Sequence, residues 1–375
     1  MRGISNVFWG LSTVAATFFL HIFLVTVVLG LSVIIPAYEI TGYLRGNSYY
    51  ISVARRLTSY LIRVDLFAGV MATWLTVFLG AYWPSLVYIA TNVLLYPVSL
   101  AIAGIMIAIV SMALYWYTWD KMGKAAHVTV GLFMAAGALM VPFGMNSIIS
   151  LMDYPFGVKV STSLGLTFYT SNGQNPLLNP VFLPLALFTW FVSIALTSFI
   201  VLVYINFKSS REGVPAKNGI PLASGIMSSV LSLVFLYVSL SRFQEYSPYI
   251  WSGMRSGGLM DILLSIAWVS VVFSLLSIHR RVLRYAAPAG AIFSYALFML
   301  FEISSNVSRY PYMIVEGNTG ITAETFANPL YGIPVFIPVA GFAIIAMMTA
   351  TFALTLYLAF FVYPVENEPS NNAAA

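Results

Sequence analysis

The long apolar stretches of the chain contain few polar side chains, and these are the first candidates for chemistry. His21 lies within FFLHIFLVTVVLG, residues 18–30, and is one of three histidines among 375 residues. An ionisable side chain inside a membrane span is costly and indicates a functional site by default. His21 suits either of two roles, a heme ligand or a packing histidine hydrogen-bonded to a neighbouring helix. His127 and His279 are expected at helix ends, where they cannot pair with His21 across a heme.

A second candidate pair lies late in the chain. Glu302 and Asn306 are four residues apart, so they share one face of a helix. Glu302 is expected about two helical turns inside the end of its span. We interpret it either as a functional acid or as a carboxylic acid hydrogen-bonded to a neighbouring helix.

The composition predicts that the elements positioning these residues cross a membrane. Sixty per cent of the residues are hydrophobic, 8% are charged, and the mean hydropathy is +0.90. Soluble domains carry roughly 25% charged residues. The chain has no cysteine, which excludes disulfides, iron–sulfur clusters and thiolate chemistry, and three scattered histidines exclude structural zinc. Nucleotide-binding and HExxH motifs are also absent from the sequence, which leaves electron transfer, transport or a structural role.

The apolar pattern predicts an all-α, polytopic bundle of about nine membrane-spanning helices. The predicted spans are 7–36, 60–83, 86–118, 125–151, 179–207, 220–242, 258–278, 285–308 and 333–363. We expect one transmembrane domain, residues 1–365, with spans one to four within 1–151 and spans five to nine within 179–363. Residues 366–375 are expected to form a short cytoplasmic tail.

The basic residues predict the orientation of the bundle. Of the 17 lysines and arginines, twelve fall in one set of alternate connections and five in the other. The positive-inside rule therefore predicts an outside N-terminus and a cytoplasmic C-terminus. The net charge of +5 is explained by this bias, and we expect membrane lipids but no nucleic acid as partners.

Four segments resemble, in order and spacing, subunit I of cytochrome bd-type quinol oxidases. The first is HIFLVTVVLGLSVIIPAYEITGYLRG, in which His21, Gly30 and Glu39 match a histidine, a glycine and a glutamate of that family's first helix and loop. The others are WDKMGKAAH (119–127), LLNPV (177–181) and SRYPYMI (308–314), the last of which contains Arg309. The similarity is strong over residues 1–210 and patchy afterwards.

Several functional positions of the family are changed in this chain. By the resemblance, two helix-three glutamates align with Leu100 and Ala108, and an early helix-one arginine aligns with Leu11. The helix-five histidine that ligates the low-spin heme aligns with Phe188. Its methionine partner falls near Ser256 in IWSGMRSGG, which also contains Met254.

The later positions differ as well. The family's glutamate three residues before a conserved arginine, an axial ligand of a high-spin heme, aligns with Asn306, three residues before Arg309. Of the ligand set, only His21 remains. The connection that binds quinol in the family is here about fifteen residues, Phe243–Gly257.

The resemblance therefore implies a degenerate paralogue of subunit I, of the kind that takes the place of subunit II in archaeal-type complexes. Such a chain would pair pseudo-symmetrically with a heme-bearing subunit I in a prokaryotic plasma membrane and seal its heme pocket from lipid. Hemes b and d and the quinol would belong to the partner, and this chain would have no active site of its own. The alternative is a redox subunit that holds one heme through His21. A secondary transporter is the weaker third hypothesis.

Overall fold

The fold is a helical membrane bundle, as the sequence predicts. The computed structural model describes residues 2–92, 94–163, 166–171, 173–213 and 216–326, with scattered residues between 343 and 357. Within these residues, eight helices are long and apolar enough to cross a membrane. The ninth predicted span, 333–363, lies almost entirely outside the described residues.

The helices alternate in direction along the chain, and three of them (α3, α8 and α11) are too short to span. Their bounds are α1 (Arg2–Arg45), α2 (Ser48–Tyr82), α3 (Pro84–Asn92), α4 (Leu95–Tyr117), α5 (Lys124–Asp153), α6 (Phe182–Glu212), α7 (Gly219–Tyr246), α8 (Pro248–Ser256), α9 (Leu259–Leu276), α10 (Leu283–Arg309) and α11 (Ala323–Phe326). We call the face at which α1, α4, α6 and α9 end the basic end, because its connections hold most lysines and arginines. The opposite face is the far end.

The third predicted span begins later than the sequence suggests. Residues 86–118 are predicted as one helix, but α3 ends at Asn92 and the spanning helix α4 begins at Leu95. Leu94 between them is buried, and its amide donates to the Ile89 carbonyl. The apolar character therefore continues across a break in the helix, which hydropathy alone does not detect.

Two hairpins were not predicted. At the far end, β1 (Val158–Ser163) pairs antiparallel with β2 (Leu166–Ser171), and β3 (Tyr312–Glu316) pairs with β4 (Thr319–Thr322). The sequences VKVSTS and LTFYTS are rich in β-branched and aromatic residues, a pattern typical of strands. The hairpins extend α5 and α10 beyond the bundle without changing its all-α class.

Small residues bring certain helices into close contact. Gly30 of α1 faces α6 so closely that a Cβ at this position would overlap the Thr197 hydroxyl and lie 2.8 Å from the Ser193 carbonyl oxygen. A Cβ on Gly137 of α5 would lie 2.6 Å from the Ala108 amide nitrogen of α4. These two contacts fix the spacing of α1 against α6 and of α4 against α5.

Candidate functional site

A buried polar triad lies at the basic end and joins three helices. His127 of α5 contacts the Glu39 carboxylate of α1 through Nδ1 at 2.6 Å and the Tyr115 carbonyl oxygen of α4 through Nε2 at 2.9 Å. The Tyr115 hydroxyl donates to the second Glu39 oxygen at 2.6 Å. The His127 ring packs on the rings of Tyr115 and Trp119, with centroids 4.3 and 4.4 Å apart.

Both ring nitrogens of His127 are engaged by other helices. Each faces an oxygen, one of the Glu39 carboxyl group and one of the Tyr115 carbonyl. Because the side chains of His127 and Glu39 are almost fully buried, the triad suits a structural connection better than exchange with solvent.

The LLNPV segment has a structural role at the far end. The Asn179 side-chain amide donates to the carbonyls of Ser150 and Tyr154, at 3.1 and 2.9 Å. Its oxygen accepts from the amide of Val181 at 2.9 Å. Asn179 thus satisfies carbonyls at the end of α5 and holds the turn that leads into α6.

A second polar cluster, the far-end cluster, consists of Asp153, Glu302, Asn306 and Arg309. Arg309 donates to Asp153 Oδ1 at 2.7 Å and to the side-chain oxygen of Asn306. The Asn306 amide in turn donates to the Glu302 carbonyl at 2.7 Å. Asp153, Glu302 and Arg309 are all buried. The structure therefore brings together Glu302, Asn306 and Arg309, which the sequence analysis singles out, and adds Asp153.

His21 lies apart from both clusters. Its Nδ1 is 3.2 Å from the carbonyl oxygen of Ala68 on α2. A ring nitrogen beside a carbonyl carries the proton, so Nδ1 donates and Nε2 keeps a free lone pair. No described residue contacts Nε2 by a hydrogen bond. This geometry fits a packing histidine and also fits a single axial heme ligand.

The position aligned with the histidine ligand of the low-spin heme is filled by a packed ring, whereas Ser256, near which the methionine partner aligns, is exposed. Phe188 is fully buried in one hydrophobic cluster with Met254. The Phe188 ring lies 4.9 Å from that of Phe301 and 6.2 Å from that of Phe298, and Phe301 stacks on Phe243 at 6.1 Å. A phenyl ring offers iron no lone pair, so even with the Met254 sulfur nearby this cluster lacks one of the two axial ligands of a low-spin heme.

The remaining positions that align with functional residues of the family lie on α4 and α1. Ala108 is buried, and its backbone nitrogen lies against Gly137 of α5. Leu100 is half-buried on the same helix. The expectation for Leu11 concerns a side chain outside the described part of the chain. Among the residues described, no three His, Cys, Asp or Glu side chains group as metal ligands.

Sequence reasoning missed three members of these clusters. His127 was expected only at a helix end, and neither Tyr115 nor Asp153 was considered. All three lie near span ends, where an isolated polar residue is usually solvated. The available signal was the topology, which puts Glu39 at the same end as His127 and Asp153 at the same end as Arg309.

The comparisons with known proteins agree with this description. The model of the cytochrome bd terminal oxidase subunit I family matches residues 11–243. A chain of the solved bd oxidase from Geobacillus thermodenitrificans superposes with a TM-score of 0.78, covering 96% of this chain and 99% of that chain. At 14% identity, that likeness shows the fold alone. No curated protein sequence matches significantly.

The family match covers more than half of the chain and includes three of the four motif segments. The chain therefore belongs to the cytochrome bd terminal oxidase subunit I family, and it is a multi-pass plasma-membrane subunit of a bd-type quinol oxidase of the respiratory chain.

Proposed function

We propose that this chain is the non-catalytic, heme-poor subunit of its oxidase and pairs with a heme-bearing subunit I. The observation that carries the proposal is the packing around Phe188 and Met254. Both residues belong to one core cluster, and in it the phenyl ring of Phe188 stands where the histidine ligand of the low-spin heme is expected. Electron entry through a low-spin heme would then belong to the partner.

Two further contacts support a loss of heme-related chemistry. Arg309 is occupied by Asp153 and Asn306 within this chain. Asn306 stands in place of a ligand glutamate, and an amide is a poor ligand for heme iron. The Ala108 position on α4 is closed by the contact with α5. We expect no iron within coordination distance of Asn306 or Glu302.

The proposed role of the chain is to complete the membrane-embedded surface of the partner and to seal its hemes from lipid. The short far-end connection is folded into α8, whose Ile250 and Met254 are buried against the bundle. This connection is too short to form a quinol site of the size found in the family. We therefore assign quinol oxidation to the partner.

The heme content of the purified complex tests the proposal. We expect the chain to co-purify with a second, longer chain that has the full ligand set, and the pyridine hemochrome to give no heme beyond that chain's own complement. The substitution Phe188→His should restore no heme, because Phe243, Phe298 and Phe301 still fill the space. A stable, active complex without such a partner, or a bis-histidine or histidine–methionine spectrum assigned to this chain, would refute it.

A specific observation favours one alternative, that the chain holds a single heme through His21. The Ala68 carbonyl fixes the His21 tautomer and leaves Nε2 available. A heme held there would supply a redox-active iron to this chain. His21→Gln tests this, because glutamine keeps a hydrogen bond to Ala68 but ligates iron poorly. Unchanged heme stoichiometry and activity support the heme-poor subunit, whereas loss of one heme per complex supports the alternative.

A further inference from the structure

The far-end cluster contains two acidic side chains and one basic side chain. Among the described residues, Arg309 is the one cation that lies near Glu302, and its guanidinium is bonded to Asp153 and Asn306. Asp153 and Glu302 are two carboxyl groups near that single guanidinium, and the side chains of Asp153 and Arg309 are 0% and 5% exposed. With both acids ionised, the buried cluster would hold one uncompensated negative charge.

The uncompensated group is Glu302. Within the described part of the chain, no side chain or amide donates to its carboxyl group, and its carbonyl alone accepts a bond, from Asn306. An ionised carboxylate without a partner is costly to bury, and the usual solution is to neutralise it. A proton does this directly. A metal cation would need several oxygen ligands and would be repelled by Arg309.

Orphaned polar atoms lie on Asp153 and on the last turns of α10. Asp153 Oδ2 and the hydroxyl oxygens of Ser304, Ser305 and Ser308 are buried and make no hydrogen bond of ordinary geometry among the described residues. Ser305 is 2% exposed and interacts with the Asp153 carboxylate. Buried polar groups are almost always satisfied, and such groups bind ordered water. Asp153 Oδ2 and the Ser305 hydroxyl therefore indicate hydration at the acid that lies near Glu302.

A route to the surface lies next to the cluster. A groove of about 560 Å³ opens between α8 and α10 at the far end. Its lining includes Tyr249 and Gly253 of α8 and Val307 and Ser308 of α10. Ser308 belongs to both the groove wall and the set of orphaned hydroxyls, and it directly precedes Arg309 in the chain.

The other charged groups on the neighbouring elements face outward. Arg255 of α8, Asp261 of α9 and Glu316 of β3 are exposed, and Glu245 of α7 is paired with Arg242 at 2.9 Å on the surface. The charge on Glu302 is thus set by Asp153 and Arg309.

We propose that the far-end cluster is a hydrated proton-binding site in which Glu302 holds an exchangeable proton and water bridges it to Asp153 and Ser305. The proton exchanges with the far side of the membrane through the groove at Ser308. The site does not depend on whether the chain binds heme, and it gives this chain a group that can take up or release a proton at that face.

Infrared difference spectroscopy of the purified oxidase complex tests the site at neutral pH. We expect a carbonyl-stretch band of a protonated carboxylic acid that shifts in D2O and is lost in Glu302→Gln. Glu302→Asp should keep an acid band at a changed frequency. The matched control is Glu245→Gln, which removes an exposed, paired acid and should leave the band unchanged.

A second variant tests the charge count. Asp153→Asn releases Arg309 from its carboxylate, so Glu302 should ionise against Arg309 and the acid band should disappear although Glu302 is intact. A purely structural Glu302 would show no such dependence. A band that persists in both Glu302→Gln and Asp153→Asn, the absence of any exchangeable acid band in the wild type, or a band that appears only when sodium is removed would overturn the proposal.

Discussion

The polar residues of the motif segments form hydrogen bonds with other groups of the same chain. Glu39 is bonded to His127 and Tyr115, Arg309 is bonded to Asp153, and Asn179 is bonded to carbonyls at the end of α5. These polar residues therefore have an explanation that needs no cofactor. They form hydrogen-bonded connections between helices in a medium where unpaired polar groups are costly.

The substitution Glu39→Ala should destabilise the bundle strongly. It leaves the buried His127 ring and the Tyr115 hydroxyl without their carboxylate, and removing one partner of a buried pair costs about 3–5 kcal/mol. The measurement is the free energy of unfolding in mixed micelles. Asp120→Ala is the control, because Asp120 is 77% exposed in its ion pair with Arg55 and such pairs contribute at most about 1 kcal/mol. Equal effects of the two substitutions would contradict a structural triad.

The sequence predicted part of these clusters. Glu39, Glu302, Asn306 and Arg309 are evident as polar residues in or beside apolar runs. The pairing of Glu39 with His127, 88 positions apart, depends on how α1 packs against α4 and α5. Hydropathy predicts where a helix ends but not which helices pack against it. The sequence therefore places the partner of a buried acid on one side of the membrane but does not identify the residue.

At the scale of helices, glycine positions decide which pairs approach closely. Gly30 lies nine residues after His21 and faces Thr197 and Ser193 of α6, whereas Gly69 of α2 has no atom within 4 Å of its Cβ position. The spacing in the sequence identified Gly30 as part of a motif. Only the packing shows that its function is contact with α6.

We expect Gly30→Ala to destabilise the chain by about 1–3 kcal/mol, the usual cost of overpacking. The added methyl group would meet backbone atoms as well as the Thr197 side chain, so α1 and α6 must separate. Gly69→Ala is the matched control on a helix surface and should be neutral or slightly stabilising. Thermal unfolding of both variants in the same detergent provides the comparison. If the two alanines behaved alike, the close contact between α1 and α6 would be wrong.

Element boundaries were less predictable than element types. Eight of the nine predicted spans correspond to observed helices. The span starting at residue 86 was too long because α3 and α4 are both apolar and the break between them leaves no polar signal. The hairpins after α5 and α10 were missed because their strands are short and half-polar. A search for apolar runs of about 20 residues treats such strands as connections.

For the whole molecule, the alternation of the helices makes a topological prediction. Asn318 lies exposed in the β3–β4 turn at the far end, and Lys121 lies exposed between α4 and α5 at the basic end. The chain has no cysteine, so Asn318→Cys and Lys121→Cys each give a single thiol. A membrane-impermeant maleimide should label the first in intact cells and the second only after lysis. The reverse pattern would invert the orientation derived from the basic residues.

The contact between α4 and α5 also limits how such a chain can evolve. Ala101, Gly104 and Ala108 of α4 meet Gly137 and Gly144 of α5 almost backbone to backbone. A single change of Ala108 to glutamate would place a long, ionisable side chain into a contact that has no room for it. The facing positions of α5 are already glycines, so no smaller residue there could make room for the acid. An acid at position 108 would therefore need the two helix backbones to move apart, and a single substitution does not supply that.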